Sequence, residues 1–224
     1  MAILLKEREP RDYKYVITPT GRELPEMNDH WRKLENFLGV PLIRPDGPSL
    51  NELIIKQRAL PNWRMRWCTR LVKIEPFMQW VKSMAPATTY IRADEVMGDS
   101  PREGTDWNGV DGVVQDFPLV RFGFGLNQVI KCVQDHNLIP PERTDCDICF
   151  FQRLIEWYLL WKNHPDKWAE GEAYEAFTGF TFRSDQRDSW PASMRDLRQE
   201  FEKGRIPKDT RREGRRAMCS WCAR

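Results

Sequence analysis

At 224 residues, with 30% charged and 41% hydrophobic residues, the chain has the length and composition of one large globular domain, or of one domain with an appendage. A net charge of +2 excludes overall charge as a basis for nucleic-acid or membrane binding. No apolar run approaches the roughly 18 residues of a membrane span, and no basic segment precedes the first apolar residues as in a secretory signal, so a cytoplasmic protein without membrane partners is expected.

Ala2–Glu9 predicts a short helix stopped by Pro10. Tyr13–Ile17, aromatic and β-branched, predicts a strand that ends in the turn Thr18-Pro19-Thr20-Gly21. Glu26–Leu38 carries Trp31, Leu34, Phe37 and Leu38 on one helical face, with Gly39 as its stop. Val40–Pro45 is a second strand candidate, and Ser49 caps a helix running to about Ala59. The stretch Arg66-Trp67-Cys68-Thr69-Arg70-Leu71-Val72-Lys73-Ile74-Glu75-Pro76 reads as a basic turn leading into a helix over Glu75–Met84. Thr88–Arg92 predicts a third strand, Ser100–Gly112 a surface loop, and Val113–Leu119 an extended segment. Gly125–His136, Phe150–Asn163, Pro165–Phe177 and Met194–Lys203 predict helices.

Strands alternating with helices at the front and nearly pure helix at the back predict an α/β fold with a parallel sheet, followed by a helical, cysteine-bearing region. The linear division places an α/β domain at 1–124 and the helical region at 125–224.

Three sites carry candidate chemistry. In the basic stretch, Arg66, Arg70 and Lys73 offer a planar fork and a point charge to a phosphate or sulfate. Cys68 stands among them, and a thiol among cations is expected to have a lowered pKa. The alternative is a solvated basic turn. The second site is Thr20-Gly21-Arg22-Glu23, between a strand and a helix, where open α/β sheets bind ligands. Arg92 lies at another strand end. The alternatives there are an ordinary turn and a surface ion pair.

The third site is the cysteine set. Six cysteines in a cytosolic chain point to metal or redox chemistry before disulfides. Cys146-x-x-Cys149 stands before a predicted helix, where thiolates gain from backbone N–H groups, and Cys219-x-x-Cys222 closes the chain. Four thiolates in two pairs match a Cys₄ zinc site and equally a Cys₄ iron–sulfur cluster, with Cys68 a fifth candidate ligand. Cys132 reads as a small core residue. The tail Lys203–Arg216 is a solvated arm or a nucleic-acid contact.

In order, Val16–Pro25, then Trp67-Cys68-Thr69-Arg70-x-x-Lys73-Ile74-Glu75-Pro76, then Ile91–Glu95, then Cys146-x-x-Cys149 resemble the phosphoadenosine phosphosulfate (PAPS) reductase family of the adenine nucleotide alpha hydrolase-like, or PP-loop, superfamily. The resemblance covers roughly residues 1–165. It is closest to the PAPS-reductase-like proteins of phage and bacterial genomes and to the DNA-phosphorothioation sulfurtransferase branch. It implies a Rossmann-like parallel sheet with an adenine nucleotide, ATP or PAPS, at its carboxyl edge. Thr20, Gly21 and Glu23 match the loop near the adenosine, Arg66, Arg70 and Lys73 the basic motif near the phosphates or sulfonucleotide, and Arg92 the later arginine. Cys68, Cys146 and Cys149, with Cys219 or Cys222 as the fourth ligand, match a [4Fe–4S] set, zinc being the alternative; Trp67 stands where the family's first cysteine would be. The family pattern opens with a strand and a Ser-Gly-Gly-x-Asp-Ser phosphate loop that this sequence does not contain, and Met1–Leu5 resembles the helix that follows it. A misplaced start, a loop supplied by another polypeptide, and true loss are the three expectations.

The function implied is reduction of a sulfonucleotide, or ATP-dependent activation for sulfur transfer, with a thioredoxin-like reductant or a sulfur-donor protein as partner. The alternative is a non-catalytic module of the same fold, stabilised by metal and binding nucleic acid or protein.

Overall fold

The computed structural model describes residues 1–90, 96–97, 100–101, 110–138, 141–143, 145–185 and 187–209. About half of them are helical, and the fold is mixed α/β with short parallel strand pairings. Arg92, Cys219 and Cys222 lie outside the described residues.

The first compact unit comprises Met1–Thr18, Pro25–Asp46 and Ile74–Pro141. Helix α1 (Ala2–Arg8) buries Ile3, Leu4 and Leu5. Helix α2 (Pro25–Leu38) ends at carbonyls that accept from the ammonium of Lys6, at 2.5 Å from Phe37 and 3.0 Å from Leu38. A cation thus closes a helix C-terminus where backbone acceptors have no partner of their own. Val16 and Ile43 form a parallel bridge on either side of α2 in the chain, a minimal β-α-β unit. The two predicted strands reduce to this one bridge. Pro41 and Pro45 flank Ile43 and have no N–H to continue a ladder.

Helix α4 (Glu75–Met84) leads to β1 (Thr88–Tyr90), which pairs in parallel with β4 (Val114–Asp116), Thr88 opposite Val114. Between them, β2 (Val96–Met97) and β3 (Ser100–Pro101) pair antiparallel. Pro118 does not extend β4 as expected. It opens the short helix α5 (Pro118–Arg121), where its fixed φ and missing N–H fit the first turn. Helix α6 (Leu126–Asp135) is tethered to α1 by His136, whose ring meets the Glu7 carboxylate at 2.6 Å and the Cys132 carbonyl at 2.6 Å. Cys132 is half-buried rather than a core residue.

The second unit comprises Pro19–Leu24, Gly47–Lys73 and the chain from Glu142 onward, so the compact units are interleaved in sequence. Helix α3 (Leu50–Gln57) starts on a capping box in which Ser49 accepts from the Glu52 N–H and Glu52 accepts from the Ser49 N–H. Helices α7 (Leu154–Asn163), α8 (Pro165–Thr178) and α9 (Met194–Glu202) follow. Their core is built on Trp157, fully buried among Leu24, Leu50, Ile54, Ile148, Leu160, Trp168, Phe182, Met194, Leu197 and Phe201. The aromatic stripe of α7 is therefore core. Gly171 allows α8 and α9 to approach closely, since a Cβ there would stand 2.6 Å from the Met194 Cε.

Candidate thiol and cation site

The basic stretch is helical and not a turn. Residues 67–84 are helical without a break, and Thr69–Ile74 within them is a π-helix. Pro76 explains the widened turn. It has no N–H for the Val72 carbonyl and its ring crowds that position, so a wider winding accommodates it. Cys68 consequently sits in the first turn of this helix, where helices end in free N–H groups. Arg70 and Lys73 are exposed, and the Arg66 guanidinium lies over the Phe151 ring, 5.5 Å from its centroid.

Cys146 and Cys149 lie in two successive turns, with the Cys149 N–H donating to the Cys146 carbonyl at 3.2 Å and the Gln152 N–H to the Cys149 carbonyl at 3.0 Å. Helix α7 begins only at Leu154, so the expected help of its N-terminus does not reach the thiols. Cys68, Cys146 and Cys149 belong to one compact unit; Cys68 and Cys146 pack against the same core, and Cys149 acts electrostatically on both. The Cys146 thiol hydrogen-bonds Cys149, which raises Cys146, as does burial, and holds Cys149 low. The Phe151 N–H and Arg143 also favour the Cys149 thiolate.

Cys68 departs from expectation. Burial pushes its thiol up, and the neighbouring Cys149 adds to the rise; Thr69 and Lys73 pull it down but do not prevail. Cations along a sequence do not guarantee a thiolate when the thiol is desolvated.

The Thr20–Glu23 turn lies in the same unit. The Glu23 carboxylate accepts from the Thr20 N–H at 2.6 Å, the Thr20 hydroxyl at 2.8 Å and the Gly21 N–H at 3.0 Å. Thr20 is buried, and its carbonyl accepts from the Leu50 N–H. Gly21 has φ +77°, and a Cβ there would meet the Ser49 Cβ at 3.2 Å, so backbone shape alone calls for glycine.

Sequence reasoning missed the residue that joins this turn to the cysteines. Arg22 is buried, donates from Nε to Asp147 Oδ1 at 2.9 Å and from Nη2 to Oδ2 at 2.5 Å, and pairs through Nη1 with Glu170. The Asp147 N–H donates to the Arg22 carbonyl at 2.8 Å. Burial opposes the charge of Arg22, but Asp147 and then Glu170 outweigh it and raise its pKa. An acid between two cysteines was the available signal for Asp147.

Among the described residues, no three His, Cys, Asp or Glu side chains are arranged to hold a single metal ion. Three thiols gather, and Trp67 Nε1 (next in chain to Cys68) and Arg143 Nε and Nη1 are buried N–H groups with no hydrogen-bond acceptor. Buried donors of this kind call for a partner. No protein-family model, curated protein or solved structure matches the chain.

Proposed function

We propose that the chain is an adenine-nucleotide-binding protein of sulfur metabolism, resembling PAPS reductases, that reduces a sulfonucleotide or uses ATP to activate a substrate for sulfur transfer. The observation that carries this reading is the gathering of Cys68 with Cys146 and Cys149 beside the cationic helix, although the two segments are far apart in sequence. The sheet is read as the remainder of a Rossmann-like one, on the Val16–α2–Ile43 unit and the parallel β1–β4 pair. Thr20, Gly21, Glu23 and Arg92 would serve the nucleotide.

Arg66, Arg70 and Lys73 would stabilise charge on the phosphate or sulfate, Lys73 and Arg70 from the exposed face of the helix. Cys68, Cys146 and Cys149 would hold a [4Fe–4S] cluster with Cys219 or Cys222 as the fourth ligand, zinc being the alternative. When bound, a cluster supplies one-electron redox capacity near the substrate. The electrons or sulfur would come from a thioredoxin-like reductant or a sulfur-donor protein. A cytoplasmic setting accords with a described chain in which no helix is long and apolar enough to cross a membrane.

A second reading is favoured by one observation. Glu23 uses both oxygens within its own turn, which suits a non-catalytic module that keeps the fold around a structural metal and binds nucleic acid or protein, with the basic tail as a contact. Anaerobic purification with iron, sulfide and zinc assays, followed by calorimetric titration with ATP and PAPS, separates the two. Iron, sulfide and a bound nucleotide support the enzyme. One zinc with no nucleotide binding overturns it in favour of the module.

A further inference from the structure

Arg143 stands against the Cys146–Cys149 turn. Its Nη2 donates to the Cys146 carbonyl at 2.7 Å and to the Asp147 carbonyl at 3.0 Å. Its Nε and Nη1 are sealed from solvent with no hydrogen-bond acceptor. The neighbouring Asp147 carboxylate turns its hydrogen bonds to Arg22, one on each oxygen. Leaving charged N–H groups buried without acceptors is costly, and more so than for neutral ones. The indole N–H of Trp67, next in chain to Cys68, is buried and equally without an acceptor. Lys73 is exposed, so its charge is screened by water, whereas Nε and Nη1 of Arg143 are out of contact with solvent.

We infer that Arg143 is the charge partner and main hydrogen-bond donor of an anionic metal–sulfur group bound by Cys68, Cys146 and Cys149, with the Trp67 N–H as a second donor. This rests on the reading that these cysteines hold a metal. Several thiolates, with or without inorganic sulfide, carry net negative charge around the metal. Burial of that charge demands cations and N–H groups aimed at sulfur. Such donors stabilise the more negative, reduced state and raise the reduction potential. Arg143 is a positioning residue in this role, since it acts through the bound group and through the turn that carries two of its ligands.

The test uses the full chain as wild type, Arg143→Lys, Arg143→Met and Trp67→Phe, each reconstituted anaerobically with ferrous iron and sulfide, and in parallel with zinc. Three quantities are read: metal per chain, competition by a chelator, and the midpoint potential of the iron form. Circular dichroism checks the fold. Arg143→Met is expected to weaken metal retention by about 10- to 100-fold, the range typical of a lost outer-shell partner, and to shift the potential negative. Arg143→Lys keeps the charge and loses the fork. It is expected to retain the wild-type metal content with a smaller negative shift, and it carries the test if the methionine variant fails to fold. Trp67→Phe is expected to shift the potential less than Arg143→Met. If the wild type loads iron and both Arg143 variants match it in retention and potential, the role of Arg143 is overturned while the metal site stands. A wild type that takes up neither iron nor zinc overturns the metal reading and this inference together. If zinc alone loads, chelator competition decides, and unchanged retention in Arg143→Met overturns the inference.

Discussion

Among the described residues, the second compact unit buries charge that the first keeps near the surface. In the first, polar links lie near the surface: Arg121 with Glu9 and Asp116, His136 with Glu7, and Lys6 on the end of α2. In the second, charge goes inside. Arg22 and Asp147 are fully buried as a pair, Glu175 is buried as an acceptor for the Phe182 and Met194 N–H groups, and Arg183 is buried against Asp188. Each unit is therefore vulnerable in its own way. Exposed pairs contribute little and yield to salt, whereas a buried pair is costly to break because the surviving charge has no water to turn to.

The largest predicted effect follows directly. Arg22→Met should destabilise the second unit by about 3–5 kcal/mol by leaving Asp147 buried and alone. Hydrogen exchange should show protection lost in α7–α9 and kept in α1 and α2. Equal loss in both would erase the distinction between the units.

Next comes Glu175, whose carboxyl is pushed up to about 7, chiefly by burial, against the pull of the Phe182 and Met194 N–H groups. Its folded pKa lies above its unfolded one, so between the ordinary carboxylate range and about pH 7 the folded state holds a proton that the unfolded state has lost. Stability of the second unit should therefore fall as pH rises through that window, by up to about 3 kcal/mol. Urea melts of wild type and Glu175→Gln from about pH 4.5 to about pH 8 test this. The variant should lose stability overall, since one N–H then faces an amide donor, and should lose this part of the pH dependence. A wild-type curve flat across the window would refute the assignment.

Gly171→Ala is a smaller perturbation. The new methyl meets the flexible end of Met194, so α8 and α9 should shift apart slightly at a cost of about 1–3 kcal/mol. Thermal melts of Gly171→Ala, alone and with Met194→Leu, show whether relieving Met194 restores part of the loss.

The smallest effect belongs to the first unit. The Cys132 carbonyl and then Glu7 raise the His136 pKa, so the protonated ring holds α6 to α1 most firmly below its unfolded pKa. That contribution is lost as pH rises through the folded pKa. Exchange protection in α1 should decline slightly over that range in wild type and not in His136→Phe. Added salt should reproduce part of the decline, which it should not do for Arg22.

Much of the helical content was legible in the sequence because its signals are local. Apolar spacing, the Ser49–Glu52 capping box, Pro165 at a helix start and Gly179 with φ +74° at its end each act within a few residues. Strands were less legible, since a strand exists only through a partner. Tyr13–Ile17 has the right residues, but its partner carries two prolines, and a single bridge remains. Likewise Pro118 could have ended β4 or opened α5, and the local pattern does not distinguish these.

The site divided in the same way. The residue types at Cys68, Arg70, Lys73, Cys146 and Cys149 are readable one by one, as is the need for glycine at a turn such as Gly21. Their protonation and partners are not. Cys68 has cations on both sides in sequence, yet burial governs its thiol. Nothing in the neighbouring residues sets Arg22 or Arg143 apart, and only packing shows one clamped by Asp147 and Glu170 and the other donating to the carbonyls of the cysteine turn. Helices, their caps and the inventory of thiols and cations can be read from the chain, because they depend on neighbours a few residues away. The interleaving of the two units, the assembly of Cys68 with Cys146 and Cys149, and the burial of charge beside them required the folded molecule, because desolvation and long-range pairing depend on which distant segments close around a group.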